Sequence, residues 1–285
     1  MNKLVLYTRL VKFEHTIFAM PFALIGFFLA TMVTDQINFW KLLTEIILCM
    51  VFARNAAMGF NRYLDRHFDA ANPRTAQREI PAGQISAPKA LAFVIINALL
   101  FGFVTWLINP LCFALSPVAL FVILGYSYTK RITPLCHFVL SLGLSLAPIG
   151  AWLAVTGYFA PTPLFFSGIV FFWVSGFDII YACQDIEFDR QYRLQSIPVL
   201  VGLKNALRIS SLVHFLTLIF VVLAGITMDA NMIYWSGAAI FTALMVYQHA
   251  IVKAEDLSRV NLAFGTTNCI AGVIFAAFVI LSLYF

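Results

Sequence analysis

Charge is what this sequence has least of. Of 285 residues only 11% are Asp, Glu, Lys or Arg, and just 13 are acids, while 62% are hydrophobic and 29 are Phe. With a mean hydropathy of +0.91, that scarcity excludes an ordinary soluble domain and points to a polytopic membrane protein. Cysteine is sparse too. Cys49, Cys112, Cys136, Cys183 and Cys269 lie in or beside apolar runs, with no CxxC, which excludes a disulfide framework or a zinc site read from spacing. His137, His214 and His249 share no spacing suited to haem or copper and read as structural. No Ser/Gly-rich linker, repeat array or low-complexity tract divides the chain, so residues 1–285 read as one membrane domain. The first apolar run lacks a small-residue cleavage signature and reads as a retained span.

What is abundant is apolar length. Windows long enough to cross a bilayer core recur about nine times, over Thr16 to Val33, Trp40 to Phe60, Ala90 to Ile108, Leu111 to Tyr128, Leu135 to Thr156, Leu164 to Tyr181, Ala206 to Thr227, Met232 to Val252 and Leu262 to Tyr284. The fold class expected is therefore all-α, a transmembrane bundle of about nine helices. Basic residues gather before the first span (Lys3, Arg9, Lys12) and after the second, fourth, sixth and eighth, whereas the other loops carry almost none beyond Lys41. By the positive-inside rule the N-terminus and the charged loops are cytoplasmic and Phe285 lies on the opposite side. The net charge of +5 is explained by this topology, and nucleic acid is not implied as a partner.

Against that background the stretch NRYLDRHFDAANPRTAQRE, Asn61 to Glu79, holds seven formal charges. Asn61, Asp65 and Asp69 recur at four-residue steps, which keeps three oxygen donors on one helical face. A second cluster, DIIYACQDIEFD, supplies Asp178, Tyr181, Gln184, Asp185 and Asp189 at the matching end of the sixth span. Like charges one turn apart destabilise a helix, and carboxylates at membrane depth cost roughly 2.5 to 3.5 kcal/mol. Topology makes no demand for them, so a cation must compensate. Mg2+ fits, since it takes oxygen ligands and is held by one or two carboxylates with phosphate and water. The interleaved Arg62, Arg66, Arg74, Arg78, Arg190, Arg193 and Lys204 suit phosphate oxygens, although any one of them also serves topology. Carboxylates, metal and arginines together suggest a diphosphate.

These two stretches resemble the aspartate-rich signatures of the UbiA superfamily of intramembrane prenyltransferases. The opening KFEHTIFAMPFALIGFF is similar to the family's first helix, so the resemblance covers nearly the whole chain. It implies a bacterial-type inner (cytoplasmic) membrane enzyme that moves a polyprenyl group from polyprenyl diphosphate to a small aromatic acceptor, 4-hydroxybenzoate before a naphthoate or futalosine-type menaquinone precursor. It further implies that Asn61, Asp65, Asp69, Asp185 and Asp189, with Asp178 as a further candidate, bind Mg2+ bridged to the diphosphate. Arg66, Arg74, Arg78 and Lys204 would hold its remaining oxygens. One departure stands out: where members often have an Asp after the motif Asn, this chain has Arg62.

An allylic cation formed on diphosphate departure needs an apolar, aromatic chamber, for which Phe60, Tyr63, Phe177 and Tyr181 are expected walls. A gap between helices open to lipid would take the donor tail. Arg54, two turns before Asn61, is an expected anchor for an acceptor carboxylate, its structural alternative being an ion pair with Glu45 or Glu14. His15 and His67 rank below the aspartates as proton acceptors. The loop from Asp69 to Lys89, broken by Pro73, Pro81, Gly83 and Pro88, is expected to fold partly over the site as a lid. A transporter is the alternative from another class. It fits less well, because the charge crowds one face instead of the midplane.

Overall fold

The computed structural model describes residues 3–11, 19–35 and 37–285. The start of the first apolar run at Thr16, and Lys12, Glu14 and His15, lie outside the described residues. Among the described residues thirteen α-helices make up the bundle, in chain order α1 (Lys3–Leu10), α2 (Met20–Thr31), α3 (Phe39–Leu64), α4 (Arg66–Ala71), α5 (Ala87–Ile108), α6 (Pro110–Thr129), α7 (Cys136–Thr156), α8 (Pro161–Ala182), α9 (Ile186–Gln191), α10 (Ile197–Val201), α11 (Leu203–Thr227), α12 (Met232–Ile251) and α13 (Asn268–Ser282). A 3-10 turn, Cys183–Asp185, joins α8 to α9, and a π-helical turn, Leu262–Thr267, leads into α13. Among the described residues there is no strand, only an isolated bridge between Lys253 and Asp256.

Each of the nine expected apolar spans falls on a helix. Among the described residues seven segments, including the continuous α8–α9 run, are long and apolar enough to cross a membrane. The described part of the first span, α2, is a shorter apolar helix of 12 residues. Helix α12 has the length, but Tyr234, Trp235, Tyr247, Gln248 and His249 dilute its hydropathy. The chain is an integral membrane protein, its outer helix faces covered with exposed Leu, Ile, Val and Phe, as lipid contact demands.

Helix α8 is the hub. It packs between α7 and α11, α2 lies against α7 and α13, and α3 against α5 and α6. The main core centres on Phe22, Trp173, Phe166, Phe241, Phe275 and Tyr234. Polar links cross it at the low cost a satisfied buried pair allows: Trp173 donates its indole N–H to Asn268 (3.1 Å), and the Tyr234 hydroxyl donates to the Val221 carbonyl (2.6 Å). Two helix crossings require glycine. A Cβ on Gly26 would lie 2.0 Å from the Pro148 carbonyl oxygen, and one on Gly176 would lie 2.2 Å from the His214 ring. The His214 ring itself meets His249 at 2.7 Å.

Candidate active site

The face that carries charge is assembled from four chain segments. Helix α3 ends at Leu64 and α4 begins at Arg66, yet the helical hydrogen bonds run through the break, Asp65 N to Asn61 O at 2.9 Å and Asp69 N to Asp65 O at 2.8 Å. The four-residue face read from the sequence is thus preserved, and the Asn61 amide donates to Asp65 at 2.9 Å. In the second motif the 3-10 turn tightens the chain between Asp178 and Asp185, so these two do not share a partner. Asp178 meets His137 Nδ1 at 2.7 Å, and the Ile197 N–H donates to the other ring nitrogen at 3.4 Å. Asp185 is held by Arg74.

The loop after α4 lies against both motifs. The Asn72 side chain accepts from the Arg74 N–H (3.0 Å) and the Thr75 hydroxyl donates to the Asp69 carbonyl (3.0 Å), which sets the loop's first turn. Arg74 then reaches Asp185 bidentately, at 3.2 and 2.6 Å, and donates to the Tyr181 hydroxyl at 2.8 Å. Arg78 reaches back to Asp69 at 2.6 Å. Ile80 and Ile85 are buried with Leu10 of α1 and Ala90 of α5, and this small apolar cluster pins the loop's far end.

Two further cations, Lys130 and Arg131 at the end of α6, complete the set. Lys130 meets Asp189 at 2.8 Å and Arg131 meets Asp65 at 2.7 Å. Sequence reading gave them only a topological role. Their side chains separate to opposite motifs, a relation that needs the tertiary fold, although KR directly after a span on the charged face was the available signal. Burial opposes the Lys130 charge, but Asp189 beside it, with Asp185 further off, raises the Lys130 pKa above the ordinary value. Burial likewise works against the Arg74 charge, and Tyr181 and Asp185 outweigh it and raise that pKa. For Asp65, burial raises the pKa and the nearby Asp69 adds to it, while Arg131 pulls the other way.

Other expected residues stand apart. Arg66 turns back on the end of α3, donating to the Tyr63 carbonyl (2.7 Å) with its guanidinium over the Tyr63 ring. Lys204 is exposed and has no ion pair among the described residues, because α11 begins one residue earlier and turns its Leu203 and Ala206 inward instead. Arg54 is half-buried, an electrostatic neighbour of Tyr126; Glu45 pairs with Lys41 at 3.8 Å instead. His67 is exposed.

Of the four expected aromatic walls, Phe60 stacks on Tyr63, with centroids 6.4 Å apart. Phe177 and Tyr181 both meet Phe264 of the π-helical turn, at 5.4 and 4.1 Å. A groove of about 350 Å3 opens beside the first motif, lined by Phe60 and Tyr128 with Pro117, Leu120, Phe121, Leu124 and Gly125 of α6.

The donors around this site suit a hard divalent cation. They are all oxygens, and one oxygen of Asp69 and the Oδ2 of Asp189 are buried without a hydrogen bond. Among the described residues no three His, Cys, Asp or Glu stand close enough to hold an ion together.

A model of the UbiA prenyltransferase family matches residues 19–281. The 4-hydroxybenzoate octaprenyltransferase of Tolumonas auensis is 30% identical over 225 residues, 78% of each chain, and that of Aliivibrio fischeri 28% identical over 243 residues, 85% of each. The apo structure of a UbiA homolog from Aeropyrum pernix K1 has a TM-score of 0.85 and 30% identity, covering 94% of this chain and 98% of that one. A UbiA homolog from Archaeoglobus fulgidus bound to GPP and Mg2+ shares the fold, with a TM-score of 0.76 at 21% identity over 98% and 100% of the two chains. The chain belongs to the UbiA prenyltransferase family and is an intramembrane prenyltransferase.

Proposed function

We propose that this enzyme transfers a polyprenyl group from polyprenyl diphosphate to an aromatic acceptor by Mg2+-dependent C-prenylation, with 4-hydroxybenzoate as the acceptor. The observation that carries the reading is the interlocking of both aspartate motifs with basic residues from two other segments, Arg74 and Arg78 from the loop and Lys130 and Arg131 from the end of α6. The names of the relatives support the acceptor, and the GPP and Mg2+ bound to the Archaeoglobus protein support donor and metal.

Bound Mg2+ would neutralise charge on the departing diphosphate. Asn61, Asp65, Asp69, Asp185 and Asp189 would hold it, with Asp178, already engaged by His137, as an outer member. The arginines and Lys130 would exchange their carboxylate partners for phosphate oxygens, Arg74 keeping its bidentate fork. Lys204, exposed at the start of α11, would be reached only by an outer phosphate oxygen. Phe177, Tyr181 and Phe264 would shield the allylic cation from water and face it with aromatic rings. The groove beside Phe60 and Tyr128 would receive the apolar tail from the bilayer, and Arg54 would pair with the acceptor carboxylate. By the distribution of Lys and Arg, the site and the N-terminus face the cytoplasm of a bacterial inner membrane.

Purified chain in lipid, given Mg2+, polyprenyl diphosphate and 4-hydroxybenzoate, is expected to yield prenylated acceptor and free diphosphate by mass spectrometry. Diphosphate release without that product would transfer the reading to a menaquinone precursor. The absence of both signals would overturn it.

A further inference from the structure

The Asp69 corner of the site differs from the others in charge. Among the described residues, Asp65, Asp185 and Asp189 each have one basic partner within 4.0 Å, Arg131, Arg74 and Lys130. Asp69 has two, Arg78 at 2.6 Å and Arg62 at 4.0 Å. Glu79, the next acid sensed by Arg62, forms no ion pair with it. Among the described residues, two guanidiniums therefore share one carboxylate.

Arg62 is the more unusual of the two. It is 4% exposed, yet it makes no hydrogen bond among the described residues, and its Nε is buried without a partner. The Asp69 oxygen it faces is buried and unbonded as well. A guanidinium carries five donors in a rigid planar fork, and burying such a fork with its donors unused is unfavourable unless an anion completes the site. Arg62 precedes Asp65 by three residues and Asp69 by seven, which sets it on their side of the helical run that continues through Asp65. A guanidinium cannot ligate a metal ion and repels one. Whatever Arg62 gives the site, it gives to the anion.

We propose that Arg62 binds the diphosphate of the donor directly, as a fixed cation in the wall of the site, and that Asp69 positions it together with Arg78. This rests on the prenyl diphosphate reading above and adds to it a phosphate ligand at a place where the family resemblance leads one to expect a carboxylate. The pairing with Asp69 is loose enough at 4.0 Å that a phosphate oxygen can enter the fork without breaking a formed hydrogen bond. Arg74 and Arg131 must each first give one up, and Lys130 must leave its ion pair with Asp189. Arg62 is in this sense the cation already prepared for the ligand.

The test uses the full chain in lipid nanodiscs. Inorganic diphosphate is titrated in the presence of Mg2+ by calorimetry, and Mn2+ binding without diphosphate is followed by electron paramagnetic resonance. Arg62→Gln is expected to weaken diphosphate binding roughly ten- to hundredfold, the worth of a charge-assisted hydrogen bond or two, with Mn2+ affinity equal to wild type or higher. Arg62→Lys, which keeps the charge and loses the fork, is expected to fall between the two, and it carries the test if the Gln variant does not fold. Wild-type diphosphate affinity in a folded variant overturns the proposal. A parallel loss of Mn2+ affinity also overturns it, because Arg62 would then be supporting the metal ligands. If the wild-type chain binds no diphosphate at all, the donor reading falls and this proposal falls with it.

Discussion

The two aspartate motifs end corresponding helices and carry the same Asp-x-x-x-Asp spacing, but they are neutralised from different places. In the first, Asp69 is answered largely by the loop that follows it, through Arg78, and by Arg62 of the preceding α3. In the second, both carboxylates depend on distant cations, Asp185 on Arg74, 111 residues earlier, and Asp189 on Lys130. Their burial differs in the same sense: the side chains of Asp65 and Asp69 are 27% and 8% exposed, those of Asp185 and Asp189 13% and 1%. In the first motif only Asp65 needs a distant cation, Arg131 at the end of α6. The second is complete only when the loop and the α6 end have docked on it.

The largest effect should show whether the motifs are nonetheless equal partners in chemistry. Asp65→Ala and Asp185→Ala are each expected to lower the rate of diphosphate release by about a hundredfold or more, the loss seen when one preorganised electrostatic element is removed. A variant that keeps near-normal turnover would show that its motif is structural.

Stability should separate them next. Lys130→Met strands the Asp189 carboxylate, which is fully buried, and is expected to cost about 3 kcal/mol, the lower end for a broken buried pair because the Lys130 side chain is itself 35% exposed. Arg131→Met strands a more exposed Asp65 and is expected to cost about 1 kcal/mol. Thermal unfolding in a single detergent measures both, and equal losses would remove the proposed asymmetry.

Much of this organisation was legible in the sequence, for identifiable reasons. Apolar length marks a span wherever a backbone must satisfy itself in lipid, so the helix from Ala87 to Ile108 was visible to within a few residues as Ala90 to Ile108. Four-residue spacing marked the Asn61–Asp65–Asp69 face because helical hydrogen bonds persist through the break at Asp65. What spacing cannot report is which distant cation meets which carboxylate. That is why Lys130 and Arg131 passed as topology signals, Asp178 was not linked to His137, and Lys204, in a stretch rich in basic residues, was expected among the carboxylates but lies exposed at the start of α11.

A smaller effect concerns geometry at constant charge. Arg74→Lys retains a cation over Asp185 but loses the bidentate fork and the simultaneous bond to Tyr181. A drop of roughly tenfold in kcat/KM is expected, the cost of about one charge-assisted hydrogen bond. Wild-type kinetics would mean that charge alone links the loop to the second motif.

The smallest expected effect is a gain in stability. Burial raises the pKa of Asp65 in the folded chain, with Asp69 adding to it against Arg131, so the folded state binds a proton more tightly than the unfolded state does. Stability linked to this group therefore falls as pH rises through the unfolded and then the folded pKa, and the full penalty of holding the carboxylate charged is present above both. Asp65→Asn removes that penalty while leaving an acceptor for the Arg131 guanidinium. In metal-free protein its unfolding temperature should exceed that of wild type at neutral pH, with the difference shrinking as the pH is lowered into the carboxylate range. The opposite order at neutral pH would mean that the pairing with Arg131 outweighs burial, and the first motif would then rest on its ion pair as heavily as the second.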